Sequence, residues 1–192
     1  MSTSAQFSPT RVLIAYGSSE GHTAKIAEYL ADMIRGNGCV ADPVHLKRFA
    51  PPRIEDYDAV IVGASVHMGK HQKYVRRFVK KNLETLKRLP SGFFSVSLAA
   101  HAQDKAARKE IVGCLAEFAK ETGWRPGKVA VIAGALLYTQ YGLITRWIMR
   151  RIARSKGSPD LDTSRDYVYT DWEGVKRFAE EFLGNIRCCK AA

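Results

Sequence analysis

Short runs of apolar residues alternate with longer segments whose apolar positions recur at helical spacing, and this alternation predicts the fold. The continuous apolar runs are typical of buried strands, and a proline at position 43 makes the second run an edge candidate. Strands are predicted at 11–16, 40–46, 58–65, 93–98 and 128–135. Amphipathic helices are predicted at 21–35, 74–86, 106–122 and from position 170 onward.

Helix ends are marked by residues with known terminal preferences. Gly36 and Gly38 end the first helix, and Gly123 is the expected residue just beyond the third. Thr170 and Glu173 have the spacing of a capping box, which predicts Thr170 as the N-cap of the last helix.

Apolar strands separated by helices predict a parallel sheet that is covered on both faces. Right-handed crossovers then give an α/β fold, a three-layer, doubly wound, five-stranded sheet. We expect one domain over residues 11–187, with a tail at 1–10 and another at 188–192. Residues 136–166 break the alternation and are interpreted as a helical insert.

The composition narrows the functional class. The chain has 192 residues, enough for one domain with a sizeable core. Its four cysteines form no C-x-x-C pair, so we expect reduced thiols and no metal site. The N-terminus lacks the pattern of a secretory signal, and no apolar run approaches the ~20 residues that span a bilayer. These features favour a cytoplasmic protein.

The charge is strongly basic, with 30 Lys and Arg against 19 Asp and Glu and a net charge of +11. Such an excess predicts an anionic partner. The charge count alone does not distinguish nucleic acid, an anionic membrane surface and an acidic small molecule as that partner.

The turn after the first strand has the composition of a phosphate-binding loop. Hydroxyls, glycine and the following helix N-terminus all favour an anion at this position. The turn fits neither G-x-x-x-x-G-K-[ST] nor G-x-G-x-x-G, and it contains no lysine, which favours a phosphomonoester held by neutral donors. The candidate residues are Ser18, Ser19, Glu20, Gly21, His22 and Thr23.

That loop resembles the flavodoxin pattern [ST]-x-x-G-x-T, and further segments resemble one branch of those proteins, the menaquinone-dependent protoporphyrinogen IX dehydrogenases. The similarity covers roughly residues 11–187, and its most specific segments are A-G-A-L at 133–136 and Y-T-D-W-E at 169–173. The resemblance implies a flavodoxin-like fold, FMN as cofactor, and oxidation of protoporphyrinogen IX to protoporphyrin IX. It also implies electron delivery to a membrane quinone, menaquinone or ubiquinone.

Two more loops are implicated by this resemblance, because flavodoxins bind the flavin ring with the loops after the third and fourth strands. The flavin carries the chemistry, so no catalytic side chain is expected. The implied cofactor-binding residues are Ser65, Val66, His67, Met68, Gly69, Lys70, His71, Ser97, Leu98 and Ala99.

The insert contains a predicted basic amphipathic helix at 141–156, with isoleucines on one side and arginines on the other. Its apolar surface suits a membrane or a macrocycle, and arginine pairs well with carboxylates. The substrate or membrane candidates are Trp147, Arg146, Arg150, Arg151 and Arg154. A second basic cluster, on the predicted helix beside the flavin loop, is a candidate for the same membrane surface.

The leading hypothesis is therefore an FMN-dependent protoporphyrinogen IX dehydrogenase on the inner face of the cell membrane. The alternatives are a flavodoxin-type electron carrier and an FMN-dependent quinone reductase. A nucleic-acid-binding module is disfavoured, because no helix-turn-helix or RRM signature accompanies the charge. A homo-oligomer is left open.

Overall fold

The computed structural model describes residues 8–102, 104–137, 162 and 164–190, and its centre is a twisted parallel sheet. The strands in these ranges are β1 (Arg11–Gly17), β2 (Val40–His45), β3 (Ala59–His67), β4 (Lys70–His71), β5 (Ser91–Ser97), β6 (Lys128–Ala133), β7 (Ala135–Leu136) and β8 (Tyr167–Val168). The parallel strands lie in the order β2-β1-β3-β5-β6, and β4 pairs antiparallel with β3.

Helices cover both faces of this sheet. They are α1 (His22–Gly36), α2 (Lys73–Lys81), α3 (Leu83–Arg88), α4 (Lys105–Thr122) and α5 (Trp172–Lys190). Apolar side chains of α1 and α5 form the core on one face, and those of α2, α3 and α4 form the core on the other.

The two cores explain why the central strands lack polar alternation. In β1, Val12 and Ile14 face α1 and α5, whereas Leu13 and Ala15 face the opposite layer. All four side chains are fully buried. Each large aliphatic side chain buried in this way contributes about 1.5–3 kcal/mol, so both faces of the strand must be apolar. The predicted five-stranded, three-layer architecture is confirmed, with β2 at the sheet edge.

Two predicted elements differ from the structure. The helix predicted at 74–86 is two helices, because the chain leaves helical geometry at Asn82, whose side-chain amide donates to the Phe78 carbonyl at 2.8 Å. The strand predicted at 128–135 ends at Ala133. Gly134 then turns the chain, and β7 pairs with β8 in a separate two-stranded sheet.

The capping-box interpretation of the last helix is wrong. The helix begins at Trp172, and the Val175 N–H donates to the Asp171 carbonyl at 3.1 Å. The Thr170 hydroxyl lies before the helix and donates to the Ala133 carbonyl at 2.8 Å. This side chain therefore ties the start of α5 to the end of β6 instead of capping the helix.

Several predictions fall on parts of the chain outside the described residues. They are the helix at 141–156 and its five candidates, Trp147, Arg146, Arg150, Arg151 and Arg154, with most of the tail at 1–10. At the other end, α5 continues to Lys190, past the domain boundary predicted at 187. Within the described ranges, no helix has the length and apolar character needed to cross a bilayer.

Candidate functional site

A cleft with a volume of about 300 Å³ lies at the edge of the sheet where β1, β3 and β5 end. This carboxyl edge is where open α/β sheets bind ligands, because loops from neighbouring parallel strands meet there. The structure brings residues of all three predicted loops to the cleft. They are Ser18, Glu20, His22, Thr23, Ser65, Val66, His67, Met68, Gly69, Ser97, Leu98 and Ala99.

The first wall is the loop between β1 and α1. Gly21 has a φ of 84° and is the N-cap of α1, so it offers no side-chain acceptor to the first helical turn. That turn carries no acidic residue. The Ser18 hydroxyl accepts from the Gly21 N–H at 3.0 Å, which shapes the loop. The remaining N–H groups and the positive end of the helix dipole are left for an anion.

His22 links this loop to the far side of the cleft. Its Nε2 lies 2.6 Å from the Thr170 hydroxyl, and that hydroxyl donates its proton to Ala133. His22 must therefore donate from Nε2, which leaves Nδ1 of the neutral ring as a buried acceptor without a partner among the described residues. Burial, then the nearby charge of Lys25, lowers the pKa of His22.

The second wall is the tight hairpin between β3 and β4. Met68 and Gly69 both have positive φ, 49° and 76°, as a two-residue turn of this kind requires. The Cys114 thiol of α4 donates to the Gly69 carbonyl at 3.0 Å and anchors the turn. The Met68 side chain lies at the tip of the hairpin and is fully exposed.

A short hydrogen-bonded chain runs along the base of this hairpin. The Gln72 amide donates to the Ser65 hydroxyl, and Ser65 lies 3.1 Å from Nε2 of His67. Gln72 is an amide and bonds the serine instead of the histidine, so these three residues are not the Ser-His-acid arrangement of a nucleophilic serine.

Four of the predicted residues do not line the cleft. Ser19 and Gly21 lie in the first loop and are exposed to solvent. Lys70 forms an ion pair with Glu117 at 2.8 Å. His71 is only 3% exposed, and its Nε2 lies 2.9 Å from the Ser95 hydroxyl beneath the sheet edge. The donors expected at 70 and 71 are therefore occupied by protein partners.

The third wall follows β5. Ser97 is buried, and its hydroxyl has no hydrogen-bond partner among the described residues. An unsatisfied buried hydroxyl costs stability unless a ligand or water completes it. Beside it, Leu98 is partly exposed and gives the wall an apolar surface.

Sequence reasoning missed four residues of the cleft: Val96, Glu110, Gly134 and Ala135. Gly134 and Ala135 follow β6, so the rule that loops after parallel strands meet at one edge identifies them once it is applied to the fifth predicted strand. Glu110 arrives from the side of α4, and no local sequence signal marks it.

The residues present fit a ligand with a phosphoryl group at one end and a flat ring at the other. The uncapped start of α1 suits the phosphoryl group, and Gly21 has no Cβ to obstruct it. Val66, Val96 and Leu98 supply apolar surface for a ring, and Ser97 supplies the unsatisfied hydroxyl for its polar edge.

Comparison with known proteins identifies relatives over most of the chain. Residues 13–162 match the model of a flavodoxin domain family, Flavodoxin_5. A protoporphyrinogen IX dehydrogenase [quinone] of Escherichia coli (strain K12) is 37% identical over 171 residues, which cover 89% of this chain and 93% of the relative. One from Leishmania major is 33% identical over 90% of this chain and 74% of its own length.

A solved flavodoxin from the domain Archaea has the same fold. It matches 93% of this chain and 99% of its own length with a TM-score of 0.51 and 15% sequence identity. The flavodoxin-like fold expected from the sequence is therefore confirmed.

Proposed function

Because the chain belongs to the flavodoxin domain family and, within it, to the protoporphyrinogen IX dehydrogenases [quinone], we propose that it oxidises protoporphyrinogen IX to protoporphyrin IX with FMN as cofactor. A quinone is the electron acceptor. The observation that carries the proposal is the uncapped N-terminus of α1, which opens onto a cleft formed by three strand-end loops.

The loop at 18–23 would hold the phosphoryl group of FMN. The first-turn N–H groups of α1 supply donors, and the hydroxyls of Ser18, Ser19 and Thr23 add further hydrogen bonds. The loop contains no lysine or arginine, so the helix dipole supplies most of the favourable field. The phosphoryl group anchors the cofactor and leaves the ring at the edge of the sheet.

The hairpin at 65–69 and the turn at 97–99 would hold the ring. When bound, FMN supplies the hydride acceptor that no protein side chain provides. Val66 and Leu98 exclude water from the ring, and Ser97 offers a hydrogen bond to its polar edge. Of the three donors expected in the hairpin region, His67 lines the cleft, whereas Lys70 and His71 are bound to Glu117 and Ser95.

Substrate recognition needs apolar contact with the macrocycle and pairing with its carboxylates. The exposed Met68 side chain at the mouth of the cleft supplies a flexible apolar surface next to the ring site. The arginines Arg146, Arg150, Arg151 and Arg154, with Trp147, stay the predicted contacts for the carboxylates and the macrocycle face.

We further propose that the protein binds an anionic membrane surface, where a lipid-soluble quinone is accessible. The net charge of +11 favours this partner. In the described part of the chain, α2 carries an outward row of basic side chains beside the hairpin. Lys70 and Arg76 are paired with Glu117 and Glu121. The exposed basic residues of α2, which we name the α2 basic face, are Lys73, Arg77, Lys80 and Lys81.

An anaerobic assay tests the proposed reaction. Protein reconstituted with FMN is mixed with protoporphyrinogen IX and a soluble quinone, and porphyrin fluorescence is followed. We expect fluorescence to rise only when both FMN and quinone are present. A protein that reduces quinone with other electron donors but leaves protoporphyrinogen IX unchanged would contradict the substrate assignment and favour the quinone-reductase alternative.

A further inference from the structure

His45, at the end of the edge strand β2, lies directly beneath the loop between β1 and α1. Its ring is 6% exposed and packs between two tyrosines, with centroids 5.3 Å from Tyr16 and 6.3 Å from Tyr74. It does not line the cleft, and it belongs to a predicted strand instead of a predicted ligand-binding loop. Its hydrogen bonds nevertheless reach the loop that we assign to the phosphoryl group.

Both ring nitrogens of His45 are occupied, and their partners fix the tautomer. The Lys47 N–H donates to Nδ1 at 3.1 Å, so Nδ1 carries no proton in this arrangement. Nε2 therefore carries the proton and donates it to the Ser18 carbonyl at 3.0 Å. The His45 carbonyl accepts from Arg48 and Phe49, so the whole turn after β2 is built around this residue.

The bond to Ser18 determines the orientation of a peptide plane in the loop. In a trans peptide the carbonyl and the following N–H point in opposite directions. Here β2 lies on the outer side of β1, and the strands that border the cleft, β3 and β5, lie on the other side. A Ser18 carbonyl turned toward His45 therefore turns the Ser19 N–H away from β2, toward the cleft.

We propose that His45 is a positioning residue for phosphoryl binding, which fixes the 18–19 peptide so that the Ser19 N–H is presented to the anion. This inference rests on the proposed binding of FMN. Without the bond from Nε2, the peptide can rotate and offer its carbonyl to the cleft, where it would repel a phosphoryl oxygen. A prealigned donor avoids the cost of ordering the loop during binding.

The test compares FMN with riboflavin, which has the same ring and no phosphoryl group. The dissociation constants of both are measured by quenching of flavin fluorescence. His45→Phe keeps a ring between the two tyrosines and removes both hydrogen bonds. We expect it to weaken FMN binding about tenfold and to change riboflavin binding by less than about twofold.

Two further variants control this comparison. His45→Gln keeps an N–H donor within reach of the Ser18 carbonyl and is expected to restore most of the FMN affinity. Tyr57→Phe removes the 2.9 Å hydrogen bond to Asp42 at the opposite end of the strands, and it is expected to leave both affinities unchanged. Equal losses of FMN and riboflavin affinity in His45→Phe, or no loss at all, would overturn the inference.

An independent measurement uses the wild-type protein, so it does not depend on how well a variant folds. The backbone amide resonance of Ser19 is followed by NMR during titration with FMN and, separately, with riboflavin. We expect a large downfield proton shift with FMN and none with riboflavin. FMN that binds tightly without moving this resonance overturns the role of His45 but leaves the proposed function standing. A wild-type protein that binds no FMN refutes both.

Discussion

At the scale of single residues, three buried histidines hold the loops and strand ends around the cleft in place. His22 lines the cleft, whereas His45 and His71 lie behind it. His22 joins the phosphate loop to Thr170, His45 binds the Ser18 carbonyl, and His71 binds the Ser95 hydroxyl. Each uses a ring nitrogen to order a loop or strand end. The charged form of a buried imidazole is costly, and burial is the main reason that the pKa values of His22 and His71 are lowered.

His71 provides the clearest prediction of this kind. Burial, followed by the charge of Arg76, lowers its pKa from 6.5 to about 4. The unfolded chain therefore binds a proton at His71 between pH 6.5 and 4 that the folded chain does not. The stabilising effect of the neutral ring is fully present above pH 6.5 and is lost as the pH falls toward 4, by about 3 kcal/mol in all.

Urea unfolding at pH 7 and pH 4.5 measures this effect against a variant without the titrating group. The free energy of unfolding of the wild type should fall more steeply with acid than that of His71→Gln. His101→Gln, which changes an exposed imidazole, serves as the matched control and should follow the wild type. An identical pH dependence in all three proteins would show that His71 does not titrate as the structure indicates.

At the scale of elements, the closeness of β3 to β5 depends on a glycine. Gly63 lies opposite Phe94, and a Cβ at position 63 would come within 2.1 Å of the Phe94 ring. The ring fills the space that a side chain would otherwise take and forms part of the core under α1 and α5. Packing of the strands that border the cleft therefore requires glycine at this position.

Two Gly→Ala substitutions should have opposite effects for this reason. Gly63→Ala should lower the free energy of unfolding by about 1–3 kcal/mol, because the Phe94 ring must shift in a close-packed core. Gly113→Ala, in the middle of α4 with open space around it, should raise that free energy by about 0.5–1 kcal/mol. Chemical denaturation of both variants checks the signs, and stabilisation by Gly63→Ala would contradict the packing described.

How far the sequence predicts these elements depends on whether the signal is local. The strands and the phosphate loop follow from apolar runs and from the turn residues at 17–23, which act within a few positions. The end of β6 and the role of Thr170 depend on contacts between distant parts of the chain, such as the bond from Thr170 to the Ala133 carbonyl. The break at Asn82 involves a local bond to the Phe78 carbonyl, but the apolar periodicity continues across it and hides it. Likewise, no sequence signal near positions 70 and 71 indicates that Lys70 pairs with Glu117 or that His71 bonds to Ser95.

At the scale of the whole molecule, an exposed basic surface lies beside the mouth of the cleft. The hairpin at 65–69 leads through β4 directly into α2, so the α2 basic face lies next to the proposed ring site. Two of the basic residues in this region are neutralised by ion pairs with α4. The exposed ones can attract an anionic surface and bring the mouth of the cleft toward it.

A charge-reversal variant tests this orientation. The triple change Lys73→Glu, Arg77→Glu and Lys80→Glu should weaken binding to vesicles of mixed anionic and neutral lipids by more than about tenfold, measured by co-sedimentation at low salt. The matched control reverses three exposed basic residues of α4, Arg108, Lys109 and Lys120. Equal loss of binding in the two variants would show that net charge, and not the α2 basic face, determines membrane binding.

The roles proposed for the cleft residues all depend on FMN binding through its phosphoryl group in the cleft at the carboxyl edge of the sheet. A crystal structure of the protein with FMN shows whether it binds there. We expect the phosphoryl oxygens within hydrogen-bond distance of the backbone N–H groups at 18–23, and the ring between the hairpin at 65–69 and the turn at 97–99. FMN bound at another place, or a loop at 18–23 that closes on its own side chains while FMN is present, would refute this binding mode.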